Sequence, residues 1–203
     1  MDISLDLERR SRQSLTMRYL LILLCLLAVP ASADEFCEDL WFTRNQVFDR
    51  AGFCFGSPLG DAVFDNSDCT GRDVTLSQSE KRFVAELRTV EEQQGCMIDT
   101  DAVQLKLSGV ALRRQLRDLP FRDLYESGCL GWKDATRGLY AGHDTETETI
   151  GQIEPGDFIL YSHQSVGTWN FVTIYGPVWQ GFKSAGWLDG ATMSDASCED
   201  WAG

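Results

Sequence analysis

The chain has 203 residues, of which 43% are hydrophobic and 24% charged, and its net charge is −13. So acidic a surface repels the phosphate backbone, which makes nucleic acid an unexpected partner. The length allows one domain or two small ones, and no repeat or low-complexity segment interrupts it.

The segment 17–33 is typical of a secretory signal peptide. Arg18 gives it a basic start, an apolar run follows at 19–29, and it ends with the small-x-small motif Ala-Ser-Ala. A leucine precedes Cys25, where a lipoprotein signal needs a small residue, and the apolar run is too short for a permanent membrane anchor. We expect a periplasmic or secreted protein without a membrane anchor. Whether Met1 or the methionine at 17 starts the chain stays open.

A first helix is predicted over 38–51, with Gly52 after its last turn. Its apolar positions recur at helical spacing. They are Leu40, Trp41, Val47, Phe48 and Ala51. Arg44 falls on the same face, where a guanidinium must either reach solvent or meet a carboxylate or carbonyl groups. Asp61, Asp65 and Asp68 in the following loop are possible partners, and the predicted ion pair is Arg44 with Asp65.

Two further helices are expected between the first helix and the strand region. Ser77-Gln78-Ser79-Glu80 has the form of a capping box and predicts a helix that ends at Gly95. The segment 110–118 predicts a shorter helix, which Pro120 stops.

The last third is rich in β-branched and aromatic residues between turn signals. Five short strands are predicted, at 137–141, 149–153, 157–162, 168–175 and 184–188. So many short strands favour a small barrel, because closure removes exposed sheet edges.

Six cysteines follow the predicted leader, and an even number in an exported chain indicates disulfides. They are Cys37, Cys54, Cys69, Cys96, Cys129 and Cys198. If the first two helices pack antiparallel, the pairs are Cys37–Cys96 and Cys54–Cys69. If they pack parallel, the pairs are Cys37–Cys69 and Cys54–Cys96. The antiparallel arrangement is favoured of the two, and Cys129–Cys198 is expected to close the strand region.

The segment 39–55, DLWFTRNQVFDRAGFCF, resembles the YARHG domain of bacterial exported proteins. The matching positions are Leu40, Trp41, Arg44, Asn45, Phe48, Arg50, Gly52, Phe53 and Phe55. Asp49 stands where the family has alanine, and Ala51 where it has histidine. A role of that histidine is therefore not carried over. The resemblance implies an exported, modular protein.

The chain as a whole resembles bacterial secreted proteins in which domain of unknown function 4453 follows such a module. Its strand region is also similar to bacterial SH3 domains, through IGQIEPGDFI at 150–159, the glycine and tryptophan at 167–169, and AGWL at 185–188. That resemblance implies binding of cell-wall peptides or protein partners. The expected fold is α+β, a disulfide-stapled helical module followed by a small SH3-like β-barrel. The expected organisation is an extension and leader at 1–33, a YARHG-like module at 34–98, a connector with a helix at 99–128, and the barrel at 129–203.

No catalytic constellation emerges after the predicted leader. Neither His143 nor His163 lies in a metalloprotease motif, no serine lies in a nucleophile elbow, and the disulfides occupy the thiols. No metal or cofactor is expected. The candidate ligand-binding residues are Trp179, Tyr140, Tyr161 and His143, with Trp179, in a long insertion, the best candidate for an exposed aromatic.

The predicted function is a non-catalytic exported bacterial protein that binds a cell-envelope component or another protein. Two alternatives stay open. One is an acidic partner or inhibitor of a basic envelope protein. The other is an envelope hydrolase that uses acidic residues.

Overall fold

The computed structural model describes residues 32–191 and 193–203. Within it, residues 34–203 form one compact unit. Most of the predicted leader at 17–33, with Cys25, lies outside the described residues. Among the described residues, four α-helices occur, α1 (Ser32–Arg50), α2 (Pro58–Val63), α3 (Gln78–Gln93) and α4 (Val110–Arg113). No helix of this described part is long and apolar enough to cross a membrane.

The helix ends follow from local chemistry. α1 ends just before Gly52, whose φ of +83° suits the left-handed conformation that follows a helix. At the start of α3, the Ser77 N–H donates to Glu80 Oε2 at 2.7 Å, and the Glu80 N–H donates to Ser77 Oγ at 3.3 Å. The capping box is thus confirmed. Each half of it binds a backbone donor that the helix itself leaves free.

The helix predicted after Gly109 is shorter than expected. α4 stops at Arg113, whereas the sequence indicated a helix over 110–118. The backbone N–H groups of Arg117 and Asp118 donate to Ala141 O, at 2.7 and 3.3 Å. Because these two N–H groups bind the carbonyl oxygen of Ala141, they do not form the intrahelical hydrogen bonds that would extend α4.

α1 and α3 pack antiparallel. Cys37, near the start of α1, bonds to Cys96, just after α3, and Val47 shares a buried cluster with Val84. The other bridges are Cys54–Cys69 and Cys129–Cys198. These are the pairs expected of the antiparallel arrangement.

The ion pair predicted between Arg44 and Asp65 is wrong. Arg44 Nε donates to both carboxylate oxygens of Glu91, at 3.1 and 2.9 Å, across the α1–α3 contact. Asp65 instead caps a short 3₁₀ turn, where its Oδ1 accepts from the Ser67 N–H at 2.8 Å. The antiparallel packing brings a carboxylate to Arg44 from far along the chain.

A seven-stranded antiparallel sheet follows the helices, in the order β3-β2-β6-β5-β4-β1-β7. Its strands are β1 (Arg122–Trp132), β2 (Arg137–Tyr140), β3 (Thr149–Ile153), β4 (Phe158–His163), β5 (Trp169–Tyr175), β6 (Phe182–Asp189) and β7 (Cys198–Ala202). The five predicted strands correspond to β2–β6. β1 and β7 were not predicted, and β1 runs from the segment expected to be a connector across the boundary expected at 129.

The sheet is not closed into a barrel, because β3 and β7 are its two edges. Residues from both edges nevertheless share one buried cluster with the central strands, which indicates a strongly curled sheet. They include Ile153 of β3, Ile159 of β4, Val172 of β5 and Cys198 of β7. The edges do not need closure, since both strands are only five residues long and β7 carries Glu199 and Asp200.

Candidate functional site

A cleft of about 600 Å³ opens beside strands β1, β4, β5 and β7. We call it the aromatic cleft. Tyr161 of β4, Trp201 of β7, Met193 and the exposed Tyr125 supply its apolar surface, and Asn170 of β5 lies beside them. A concave site with aromatic walls and a few polar groups is typical of small-ligand recognition.

The strand register explains how the two main aromatic residues meet. Tyr161 pairs with Ser127, and Trp201 pairs with Cys129, on opposite sides of β1. Directly paired residues point to the same face of a sheet, so both rings rise above β1. Ser127 and Cys129 are small, and the ring centroids of Tyr161 and Trp201 lie 6.0 Å apart with planes inclined by 31°.

Both rings are held by hydrogen bonds at their polar ends. Trp201 Nε1 donates to Asp195 O at 3.2 Å, and the Tyr161 hydroxyl lies 3.9 Å from Met193 Sδ. Burial raises the pKa of Tyr161 to about 12, so its hydroxyl is neutral at physiological pH. Trp201 keeps 42% of its surface exposed. The cleft therefore offers a fixed aromatic surface to a ligand.

The polar groups of the aromatic cleft are neutral or acidic. Asp123 and Glu126 line it, together with Ser165. Asp123 Oδ1 accepts from the Leu124 N–H at 2.7 Å, and Glu126 binds Arg122. Among the described residues that line the cleft, none is a lysine or arginine. This surface suits a neutral or cationic ligand better than an anion.

The four predicted ligand-binding residues do not come together. Tyr161 is in the aromatic cleft, whereas Trp179 is 45% exposed elsewhere and packs edge-on against Phe158 and Tyr175. Phe158 and Tyr161 are three residues apart on one strand and so face opposite sides of the sheet. Trp179 therefore lies on the side away from the cleft.

The remaining two candidates lie at other places. Tyr140 is half-buried and packs against Trp169 at 5.7 Å between centroids. His143 is exposed, with Nδ1 3.1 Å from Asp118 Oδ2 and its ring against Trp187.

A buried charged cluster joins α1 to the sheet, and the sequence analysis missed it. Asp39 Oδ1 accepts from Arg113 Nη1 at 2.9 Å, and Asp39 Oδ2 lies 2.9 Å from His163 Nε2 and 3.8 Å from Arg122 Nη1. His163 Nδ1 lies 3.1 Å from the Ser162 hydroxyl. A neutral imidazole fits both contacts, with Nδ1 accepting from Ser162 and the proton on Nε2, beside Asp39 Oδ2.

Burial and charge act against each other within this cluster. Burial by itself raises the pKa of Asp39, but the charges of Arg113, His163 and Arg122 outweigh it and hold the pKa well below its ordinary value. Burial lowers the pKa of His163, and the two arginines add to that effect against the opposing carboxylate. The stable state is an ionised Asp39 beside a neutral His163.

This cluster is structural. His163 borders the aromatic cleft, but its side chain is 0% exposed and that of Asp39 is 1% exposed. Ser162 is also buried, so a substrate cannot reach its hydroxyl. A signal was available in the sequence. Asp39, Thr43 and Gln46 recur at helical spacing, and all three are buried polar residues of α1.

Two family models match this chain. The model of the domain of unknown function (DUF4453) matches residues 95–203, just over half of the chain, and the model of the YARHG domain matches residues 18–92. The chain belongs to the DUF4453 family. The order of the two matches is the predicted one. The comparisons with curated proteins and with solved structures gave no match.

The YARHG match and the three disulfides indicate that this DUF4453 protein is extracellular or periplasmic. The SH3-like resemblance of the strand region is not confirmed, since the sheet is open and neither family match names such a domain. The buried charged cluster spans the two matches, because Asp39 belongs to the YARHG region and Arg113, Arg122 and His163 belong to the DUF4453 region.

Proposed function

We propose that this DUF4453 protein is a non-catalytic binding module of the cell envelope, exported through the leader at 17–33, and that the aromatic cleft holds its ligand. The observation that supports this most strongly is the pair of rings, Tyr161 and Trp201, above small residues of β1 and beside acidic groups. The apolar faces of a sugar ring or of an apolar side chain stack on such rings. The hydroxyl or amino groups of the same ligand would bind to Asp123, Glu126 and Asn170.

The ligand class that fits is a glycan or peptide of the cell wall with hydroxyl or amino groups. An anionic ligand fits poorly, since the described lining contains no lysine or arginine. The alternative of a basic protein partner is supported by the net charge of −13 and calls for no defined cleft.

The test is co-sedimentation of the purified chain, without residues 1–33, with purified cell-wall sacculi. Trp201→Ala removes one ring of the cleft, and we expect binding to weaken about tenfold, which corresponds to about 1.4 kcal/mol. Trp179→Ala is the matched control, because Trp179 is exposed to a similar extent on the other side of the sheet. It should change binding by less than about twofold.

Three outcomes would count against the proposal. The first is no retention of the native chain, and the second is equal losses for the two variants. The third is retention that disappears in about 0.5 M salt, which would favour a basic partner held by charge, because exposed charges more than a few ångströms apart are largely screened at that concentration. Circular dichroism of both variants would verify that they fold.

A further inference from the structure

A second cleft, of about 390 Å³, lies beside the YARHG-like segment and is separate from the aromatic cleft. We call it the Arg72 cleft. Its lining includes Trp41, Asn45, Phe53, Phe55, Ser57 and Arg72. Aromatic rings form its walls, and one guanidinium supplies its positive charge.

Arg72 has no carboxylate partner within the described part of the chain, whereas Arg44 and Arg113 are both engaged in ion pairs. Its guanidinium lies against the backbone of Gly56, where a Cβ atom would collide with Nη2. Glycine at this position therefore allows the cation to lie in the cleft. In an acidic protein, an exposed and unpaired arginine beside aromatic rings is a natural point of attachment for an anion.

Two neutral donors accompany the guanidinium. Ser57 Oγ accepts from the Gly60 N–H at 3.1 Å, which leaves its own O–H free to donate. Asn45 Nδ2 donates to Trp41 O at 2.7 Å, and its second N–H remains available. Arginine with neighbouring hydroxyl and amide donors is the set that binds a carboxylate.

Four of the positions at which the segment 39–55 resembles the YARHG domain line this cleft, namely Trp41, Asn45, Phe53 and Phe55. Other signature positions have structural explanations, such as the ion pair of Arg44 and the positive φ of Gly52. The rings of Phe53 and Phe55 pack edge-on at 5.1 Å between centroids. The aromatic wall is thus formed by rings in contact with each other.

We propose that the Arg72 cleft binds a carboxylate attached to an apolar group, with the carboxylate on Arg72 and the apolar part against Phe53, Phe55 and Trp41. This inference does not depend on the aromatic cleft, whose polar groups favour the opposite charge. Such a carboxylate is found at the C-terminus of a peptide that ends in an apolar residue, whereas an acidic sugar carries its carboxylate on a hydroxylated ring.

The test is a titration of the ¹⁵N-labelled chain, without residues 1–33, followed by NMR. The probe is N-acetyl-phenylalanine, which carries a carboxylate and an aromatic ring, and its amide is the neutral control. Glucuronic acid distinguishes a sugar acid from a peptide terminus. We expect N-acetyl-phenylalanine to shift the signals of Asn45, Phe53 and Phe55, and the amide to bind about tenfold more weakly, since a charge-assisted hydrogen bond is lost.

Two variants assign the binding to Arg72. Arg72→Gln should weaken binding of N-acetyl-phenylalanine about tenfold. Arg88→Gln is the matched control, because Arg88 is an exposed arginine of α3 that does not line this cleft. Gly56→Ala retains the charge but displaces the guanidinium, and no positive φ is needed at this position. It should weaken binding as well.

The outcomes separate clearly. Binding of N-acetyl-phenylalanine but not of glucuronic acid would support a peptide C-terminus as the ligand, whereas comparable binding of glucuronic acid would overturn the role of the apolar group. Equal binding of the amide, equal effects of Arg72→Gln and Arg88→Gln, or shifts confined to the aromatic cleft would overturn the proposal. None of these outcomes depends on retention by cell walls.

Discussion

The buried charge of Asp39 should be worth a large part of the stability of this fold. Asp39→Asn keeps the shape of the side chain but removes the counter-charge of Arg113, and the two side chains are 1% and 3% exposed. Removal of one partner from a buried ion pair costs about 3–5 kcal/mol, because the remaining charge stays buried without compensation. Single domains are stable by about 5–15 kcal/mol, so the variant should lose about a fifth of its stability or more.

The assay is urea unfolding with the disulfides intact, followed by tryptophan fluorescence. Glu91→Gln is the matched control. It is the same isosteric change in an ion pair with the same 2.9 Å separation, but Arg44 and Glu91 are 17% and 14% exposed. Water compensates such a pair better, and we expect a loss of about 1 kcal/mol. If Asp39→Asn destabilised the protein no more than Glu91→Gln, the inference that Asp39 compensates a buried charge on Arg113 would be refuted.

Three further predictions concern stability. The pKa of His163 is lower in the folded protein than its ordinary value of 6.5, so below about pH 6.5 the unfolded chain takes up a proton that the folded chain does not. The urea concentration at the unfolding midpoint should therefore decrease as the pH is lowered from 7 to 5. His163→Gln should make this decrease smaller, and an unchanged pH dependence would contradict the prediction. Replacing both Cys129 and Cys198 by serine should lower the free energy of unfolding by about 4 kcal/mol, because the bridge closes a loop with a sequence separation of 69. A loss under about 1 kcal/mol in urea unfolding would argue against this role of the bridge. Ser77→Ala should cost about 1 kcal/mol by the same measurement, and no change would mean that the capping box of α3 adds nothing.

The elements that could be predicted are those whose cause is local. Ser77, Glu80 and Gly52 act on backbone groups within a few residues, and the structure contains the capping box and the helix end that they predict. β1 was missed because Gly128 and Gly131 interrupt its pattern of apolar residues, which makes the segment resemble a connector.

The site depends on partners that are distant in sequence. Tyr161 and Trp201 meet only because β1 lies between β4 and β7, an order that neither segment encodes by itself. Arg44 shows the same limit, since its partner Glu91 is reached through helix packing and the nearby Asp65 is not. Spacing along the chain identifies candidate side chains, and the packing of whole elements decides which of them meet.

Contacts between α1 and the sheet lie next to the aromatic cleft. Arg122 and His163 are paired in the register of β1 and β4, and both contact Asp39 of α1. The register of β1 then shifts between Arg122 and Ser127, so the chain bulges there. The bulged residues include Asp123 and Glu126, which line the cleft. Asp39 thus contacts the residue from which this bulge starts, and this contact links α1 to the acidic rim of a cleft that α1 does not itself line.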